Sequence, residues 1–258
     1  MNGDAIREIL REMTGETVVN AKGIFEPEKI KRANQYLKDI LESTNLDEYL
    51  KNMDKSEFQH LVMEHYFTNN ENLKSEFRSV KYVYNDTPFT FTSDLGVFSK
   101  DKVDYGSKCL LEIILNKESK NKKILDVGCG YGFIGIVLSK ILDSEVDMVD
   151  VNKRAVHLSN MNIKSNEVNA KSFISDAYIS ITKKYDVIVT NPPIRAGKDK
   201  VLEILINAKD HLTEDGTLYY VIRKDQGAKS ITKTLDNYYK TELLDKNKGF
   251  YIYSAKKL

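Results

Sequence analysis

The sequence is poor in the residues that build disulfide, redox and metal chemistry. It holds 2 cysteines in 258 residues. Cys109 and Cys129 sit in apolar or glycine-rich surroundings without paired spacing, which argues against a disulfide framework or a zinc site. The 4 histidines, His60, His65, His157 and His211, are scattered. His60 and His65 miss the i, i+4 spacing that lets one helix face present two ligands, so no metal is expected. No apolar run approaches the roughly 18–20 residues that span a bilayer. The start, MNGDAIREILRE, has no basic stretch leading into an apolar one. Neither a membrane span nor a secretory leader is therefore expected, and a cytoplasmic location follows. An excess of one charge is also lacking, with 39 Lys/Arg against 38 Asp/Glu and a net charge of +1. Composition thus gives no general support for a polyanionic partner, although a local basic patch can sit on a neutral protein.

What is present is a hydrophobic fraction of 41%, enough for a sizeable core, in a length that suits one large domain with a small appendage. Residues 1–60 read as short helices. Ile6, Ile9, Leu10 and Met13 form a one-sided apolar stripe, and Pro27 suits the first turn of a second helix. Residues 1–60 are expected to form a helical extension that packs on the main domain or recognises a partner, and residues 61–258 the main domain. From about residue 80 the pattern changes. KYVYNDTPFTFTS reads as a hairpin turning at Asn85-Asp86. Strands KKILDV, EVDMVDV, AKSFISD, YDVIVT and TLYYVI then alternate with helices starting at Gly132, Lys153, about Lys198 and Ala228. Two last strands, near Thr241–Leu244 and Phe250–Ser254, are joined by the turn DKNKG. The expectation is an α/β fold: a Rossmann-like, seven-stranded, mostly parallel sheet with a terminal antiparallel hairpin.

The sharpest local signal is ILDVGCGYGFIG. A buried-type strand runs into Gly128, Gly130 and Gly132, and a helix follows. Glycine permits positive φ and lets a ligand approach the backbone where a Cβ would clash. Asp150 closes the next strand 22 residues after Gly128, with Val151 beside it. An acid there suits ribose hydroxyls in dinucleotide and nucleoside sites alike. Asp126 discriminates between them. A carboxylate just before the glycines would repel a pyrophosphate but suits the ammonium and sulfonium charges of S-adenosylmethionine. The DxGxGxG pattern therefore points to S-adenosylmethionine as cofactor. Asp176, after the third strand, is placed to accept the adenine amine, with Ala177 offering a backbone N–H. A helix cap or loop acid is the alternative for Asp176.

YDVIVTNPPI places Asn191, Pro192, Pro193 and Ile194 at the carboxyl end of the fourth strand, the edge where open α/β sheets bind ligands. Following two βα units after DxGxGxG, Asn-Pro-Pro resembles amino-group methyltransferases acting on planar nitrogens. An amine conjugated to a ring is a poor nucleophile. If the Asn191 side-chain carbonyl and the Pro192 backbone carbonyl accept its hydrogens, electron density moves onto nitrogen. Orientation and proximity then supply most of the rate, with no strong base or metal required. Ile194 stands where related enzymes often carry an aromatic. Base stacking then falls to Phe89, Phe91 or Phe98, of which at least two are expected in the core.

FTFTSDLGVFSKDKVDYGSKCLLE, ILDVGCGYGFIG, VDVNKRAVHLSN, TNPPIRAGK and the late QGAK together resemble the small-subunit ribosomal RNA guanine-N2 methyltransferase family in its short, single-domain form. The likeness runs from about His65 to the end. It implies methyl transfer to the 2-amino group of a guanine, with ribosomal RNA or the small subunit as partner. Asn191 to Pro193 would hold the amine, Arg195 and Lys198 would contact phosphate or base, and Thr92 to Phe98 would fold over cofactor and target. The late run VIRKDQGAK departs from the family by carrying Arg223, Lys224 and Asp225 before Gly-Ala. The same chemistry on a protein amide, a DNA adenine or a small molecule, or a binding module without catalysis, are the other readings.

Overall fold

The computed structural model describes residues 76–94, 97 and 102–258. The helices and the boundary expected around residue 60 lie outside them. Strands β1 (Arg78–Tyr84) and β2 (Thr87–Ser93) form the expected hairpin. Asn85 and Asp86 both take positive φ, 43° and 63°, the two-residue turn whose twist matches the flanking strands. The next element, helix α1 (Tyr105–Lys117), has no counterpart in the strand–helix alternation read from sequence. Asp104 caps it by accepting from Ser107 N at 2.7 Å, and Leu110, Leu111 and Ile114 are fully buried.

The alternation then follows as expected: β3 (Lys123–Val127), α2 (Phe133–Leu142), β4 (Glu145–Asp150), α3 (Lys153–Asn166), β5 (Ala170–Ile174), β6 (Tyr185–Thr190), α4 (Lys198–Asn207), β7 (Leu212–Arg223), α5 (Ala228–Leu235), β8 (Tyr239–Asn247) and β9 (Phe250–Lys257). The seven-stranded sheet runs β5-β4-β3-β6-β7-β9-β8. It is parallel from β5 to β7, and β9 is antiparallel to both neighbours. The terminal strands are longer than the residue pattern suggested, leaving only Lys248 and Gly249 in the turn. No described helix is long and apolar enough to cross a membrane.

Alternate residues of the central strands feed two cores. Ile124, Val187, Val189 and Val221 face α1, α2, α3 and the β1–β2 hairpin, while Leu125, Ile188, Tyr220 and Ile222 face α4 and α5. Helix α2 is apolar nearly all round, as a helix wedged between sheet and hairpin must be. Two asparagines a turn apart on α3 fasten the hairpin. Asn162 accepts from Thr92 N at 2.7 Å and donates to Thr92 O at 2.9 Å, and Asn166 does the same for Thr90 at 3.2 and 2.9 Å. Their side-chain amides complete the free edge of β2 as a neighbouring strand would. Asn162 also donates to Tyr131 O at 2.8 Å, so one buried amide joins hairpin and glycine loop.

Candidate active site

The strand order reverses between β3 and β6, and the carboxyl ends of β3, β4 and β6 meet at that crevice. Gly128, Gly130 and Gly132 take φ of 75°, 56° and 92°. The N–H groups of Gly128 and Cys129 donate to Val149 O, which moors the loop to β4. Among the described residues, chain neighbours aside, no atom lies within 4 Å of where a Cβ on Gly128 or Gly130 would stand, so the loop presents bare backbone. Asp150 lines the same rim. One oxygen accepts from Gly130 N and the other from Asn152 N, both at 2.9 Å. Three N–H donors, from Gly130, Asn152 and Val151, do not fill the carboxylate's four acceptor sites, so it can still accept from a ribose hydroxyl. Burial raises the Asp150 pKa, opposed by the N–H groups of Asn152, Gly130 and Val151. Backbone that a Cβ would obstruct, beside a two-oxygen acceptor, fits the ribose and methionine moieties of S-adenosylmethionine.

Asp126 is placed differently from its expected ligand contact. It is 1% exposed, and Oδ2 accepts from Gly135 N at 2.9 Å. The carboxylate thus lies beneath the turn and anchors the start of α2. Burial raises its pKa to about 7, with repulsion from Asp150 adding and the Gly135 N–H subtracting. Burial also lifts the Cys129 thiol well above its ordinary value, reinforced by Asp150 and Asp126, so the neutral thiol is a packing group.

Asn191 leaves the end of β6, where Thr190 Oγ1 ties that strand to Val127 O at 2.8 Å. The side-chain amide of Asn191 is held by residues far upstream. Its Nδ2 donates to Asp104 Oδ2 at 3.1 Å and to Ser107 Oγ at 2.9 Å. A carboxylate only accepts, so the NH2 group must face Asp104 and the amide oxygen must point the other way. That oxygen accepts no hydrogen bond among the described residues, and neither does the carbonyl of Pro192, whereas the Pro193 carbonyl is taken by Ala196 N at 2.9 Å. Asn191 and Pro192 thus each keep a carbonyl oxygen without a hydrogen-bond donor among the described residues. Burial raises the pKa of the Tyr131 hydroxyl, and the charge of Asp104 raises it further. Asp104 and Ser107 were not among the residues singled out from sequence. The cap pattern Asp-x-x-Ser before Leu110, Leu111 and Ile114 is the signal that would have found them.

Other candidates separate. Phe91 is 0% exposed and packs on Phe133 at 5.6 Å and Tyr131 at 5.7 Å, so it offers no face to a base. Phe89 is likewise core. Asp176 is exposed and pairs with Lys200 Nζ at 2.7 Å, a partner that competes with an adenine amine for the same carboxylate. Ala177 follows it, 9% exposed and with φ of 46°. Val151 is partly buried beside Asp150, and Ile194 packs against the second core. Lys198 is exposed and donates to Ser230 on α5 at 2.8 Å. Phe98 and the side chain of Arg195 lie outside the described residues.

The methyltransferase small domain family model matches residues 88–254. A Bacillus subtilis protein, the uncharacterized YbxB, is 42% identical over 202 residues, 76% of this chain and all of its own. The ribosomal RNA small subunit methyltransferase C of Vibrio parahaemolyticus is 31% identical over 191 residues, 72% of this chain and 54% of that protein, so the chain spans about half of that relative. Among solved structures, the T. thermophilus 16S rRNA N2-guanine methyltransferase RsmC, in complex with AdoMet and guanosine, aligns with a TM-score of 0.65 at 24% identity. It covers 72% of this chain and 52% of that one, and at this identity shows the fold alone. With the family model matching well over half of its length, the chain belongs to the methyltransferase small domain family.

Proposed function

We propose that this chain transfers a methyl group from S-adenosylmethionine to an exocyclic amino nitrogen of an RNA base, the specific target being guanine N2 in small-subunit ribosomal RNA. The observation that carries the reading is the fixed orientation of Asn191, whose NH2 is held by Asp104 and Ser107. An amide so held accepts but does not donate toward the crevice, as a group reading an NH2 must. With the Pro192 carbonyl it would accept a hydrogen bond from each amine N–H and so turn the nitrogen lone pair toward the glycine loop. S-adenosylmethionine, when bound, supplies an electrophilic methyl group. The Gly128–Gly132 backbone and Asp150 would hold it, and the residues at the end of β6 hold the nucleophile in line. Rate then comes from orientation. The RNA substrate is supported by relatives named ribosomal RNA small subunit methyltransferase C.

The test is transfer of tritiated methyl from S-adenosylmethionine to undermethylated small ribosomal subunits and to the matching naked RNA, with nucleoside analysis. A labelled N2-methylguanosine peak is expected. No transfer to either, with cofactor binding intact by calorimetry, overturns the RNA substrate and turns attention to protein amides, DNA and small molecules.

A further inference from the structure

We propose that the tip of the β8–β9 hairpin, carrying Lys246 and Lys248 with Lys224 beside it, docks the phosphate backbone of the RNA strand flanking the target nucleotide. The proposal rests on the RNA reading above. Strand β9 runs antiparallel to β7, with Phe250 opposite Arg223, so the hairpin turns at the carboxyl end of β7. Asn191 leaves the carboxyl end of β6, which is parallel to β7. Both features therefore belong to one edge of the sheet. Lys248 and Gly249 take φ of 45° and 83°, which makes a tight two-residue turn.

The tip is fastened to the first turn of α1. Tyr105 Oη donates to Asn247 Oδ1 at 2.8 Å, and the Phe250 ring packs on Tyr105 at 5.9 Å. A Cβ on Gly106 would come within 2.6 Å of the Phe250 ring, so this contact needs a glycine there. Tyr105 and Gly106 directly follow Asp104, the residue that orients Asn191. A strand of substrate held at the tip is thereby held in register with the acceptor pair.

The chemistry of the tip suits a polyanion. Lys248 Nζ lies 4.7 Å over the Tyr105 ring and Lys246 Nζ 5.3 Å over the Tyr251 ring. An aromatic face steadies an ammonium without neutralising it, which leaves the N–H donors for an anion. Among the described residues, Lys224, Lys246 and Lys248 have no carboxylate within 4 Å, whereas Arg223 is held on both arms by Asp225 at 3.0 and 3.1 Å. All three lysines are exposed. The opposite edge of the sheet contrasts with this. Its groove of about 510 Å³ mixes Lys117, Lys122 and Lys256 with four acids and has no excess positive charge. Basic side chains interleaved with aromatics at one edge of a protein of net charge +1 are the local patch that overall composition conceals.

The experiment compares wild type with Lys246→Ala/Lys248→Ala in methyl transfer to undermethylated small-subunit RNA across a potassium chloride series. The double variant is expected to raise KM for RNA about tenfold near 100 mM salt. It should also flatten the slope of log affinity against log salt by about 1.4, at roughly 0.7 for each single-strand phosphate that is no longer neutralised. Cofactor affinity and melting temperature should stay at wild-type values. Lys117→Ala/Lys122→Ala, at the opposite edge, should leave KM and slope unchanged. If wild type methylates RNA while the tip variant keeps both its KM and its salt slope, the docking role is overturned and the function stands. If wild type methylates no RNA but its tip binds an acidic protein, the RNA reading beneath the proposal fails instead.

Discussion

The Asp126 carboxylate makes the most exacting test of how the glycine loop is built. Burial holds its pKa at about 7 in the folded protein, against about 3.9 in an unfolded chain. The folded state therefore binds this proton more tightly. The stabilisation is full below the unfolded value and is lost as pH rises through about 7. Between pH 6 and pH 8 the unfolded chain is ionised at this site throughout, while the folded protein sheds its proton midway. Integrating the difference gives a loss on the order of 1 kcal/mol over that interval. For a domain of this size that is about 2–4 °C in melting temperature. Asp126→Asn keeps the volume and an oxygen to accept from Gly135 N but cannot ionise. The assay is thermal unfolding of both proteins without ligand at the two pH values, read as a double difference. Ionisable groups away from this carboxylate, including His211, whose pKa burial lowers, are common to both proteins and cancel. Relative to wild type, the asparagine variant should gain on the order of 1 kcal/mol on going from pH 6 to 8. An equal stability difference at both pH values would refute the argument that Asp126 is buried beneath the turn without a cationic partner among the described residues.

Three further outcomes follow from the site. Asp150→Ala should weaken S-adenosylmethionine binding at least tenfold by calorimetry, because the rim acceptor and the brace on Gly130 N are removed together; affinity within twofold of wild type contradicts the ribose role. Asp104→Ala should cost about 1 kcal/mol of stability through loss of the helix cap and lower kcat about 10- to 100-fold while leaving cofactor affinity intact, approaching the loss in Asn191→Ala. A kcat unchanged in Asp104→Ala would mean that Asn191 needs no positioning. Asn162→Ala should destabilise the domain by about 2–4 kcal/mol in urea unfolding, since it strands the Thr92 and Tyr131 backbone groups at once; a change under 1 kcal/mol would show that water replaces the amide.

Where sequence reading succeeded, the information was local. Gly128 to Gly132 lie within one turn and declare a backbone conformation, and Asn191-Pro192-Pro193 can end a buried strand in few ways. The hairpin turn at Asn85-Asp86 was legible because both residue types tolerate positive φ. It failed where the deciding neighbour was distant. Helix α1 begins within a stretch of mixed charge, SKDKVDYGSK, so its apolar face stood out only once the sheet was there to receive it. Phe91 had the same chemical claim to a base as to the core, and Phe133 and Tyr131 decided for the core. Asp176 had no foreseeable competitor, because Lys200 comes from the start of α4, beyond β6 in the chain.

The sequence by itself determined the alternation of strands and helices, the open glycine turn, and the chemical identity of the acceptor pair, because each is set by residue types within a few positions. Tertiary structure alone decided which way the Asn191 amide faces. Its partner Asp104 lies 87 residues upstream on another element, and no local preference distinguishes an amide oxygen from an amide nitrogen until a carboxylate is brought against one of them.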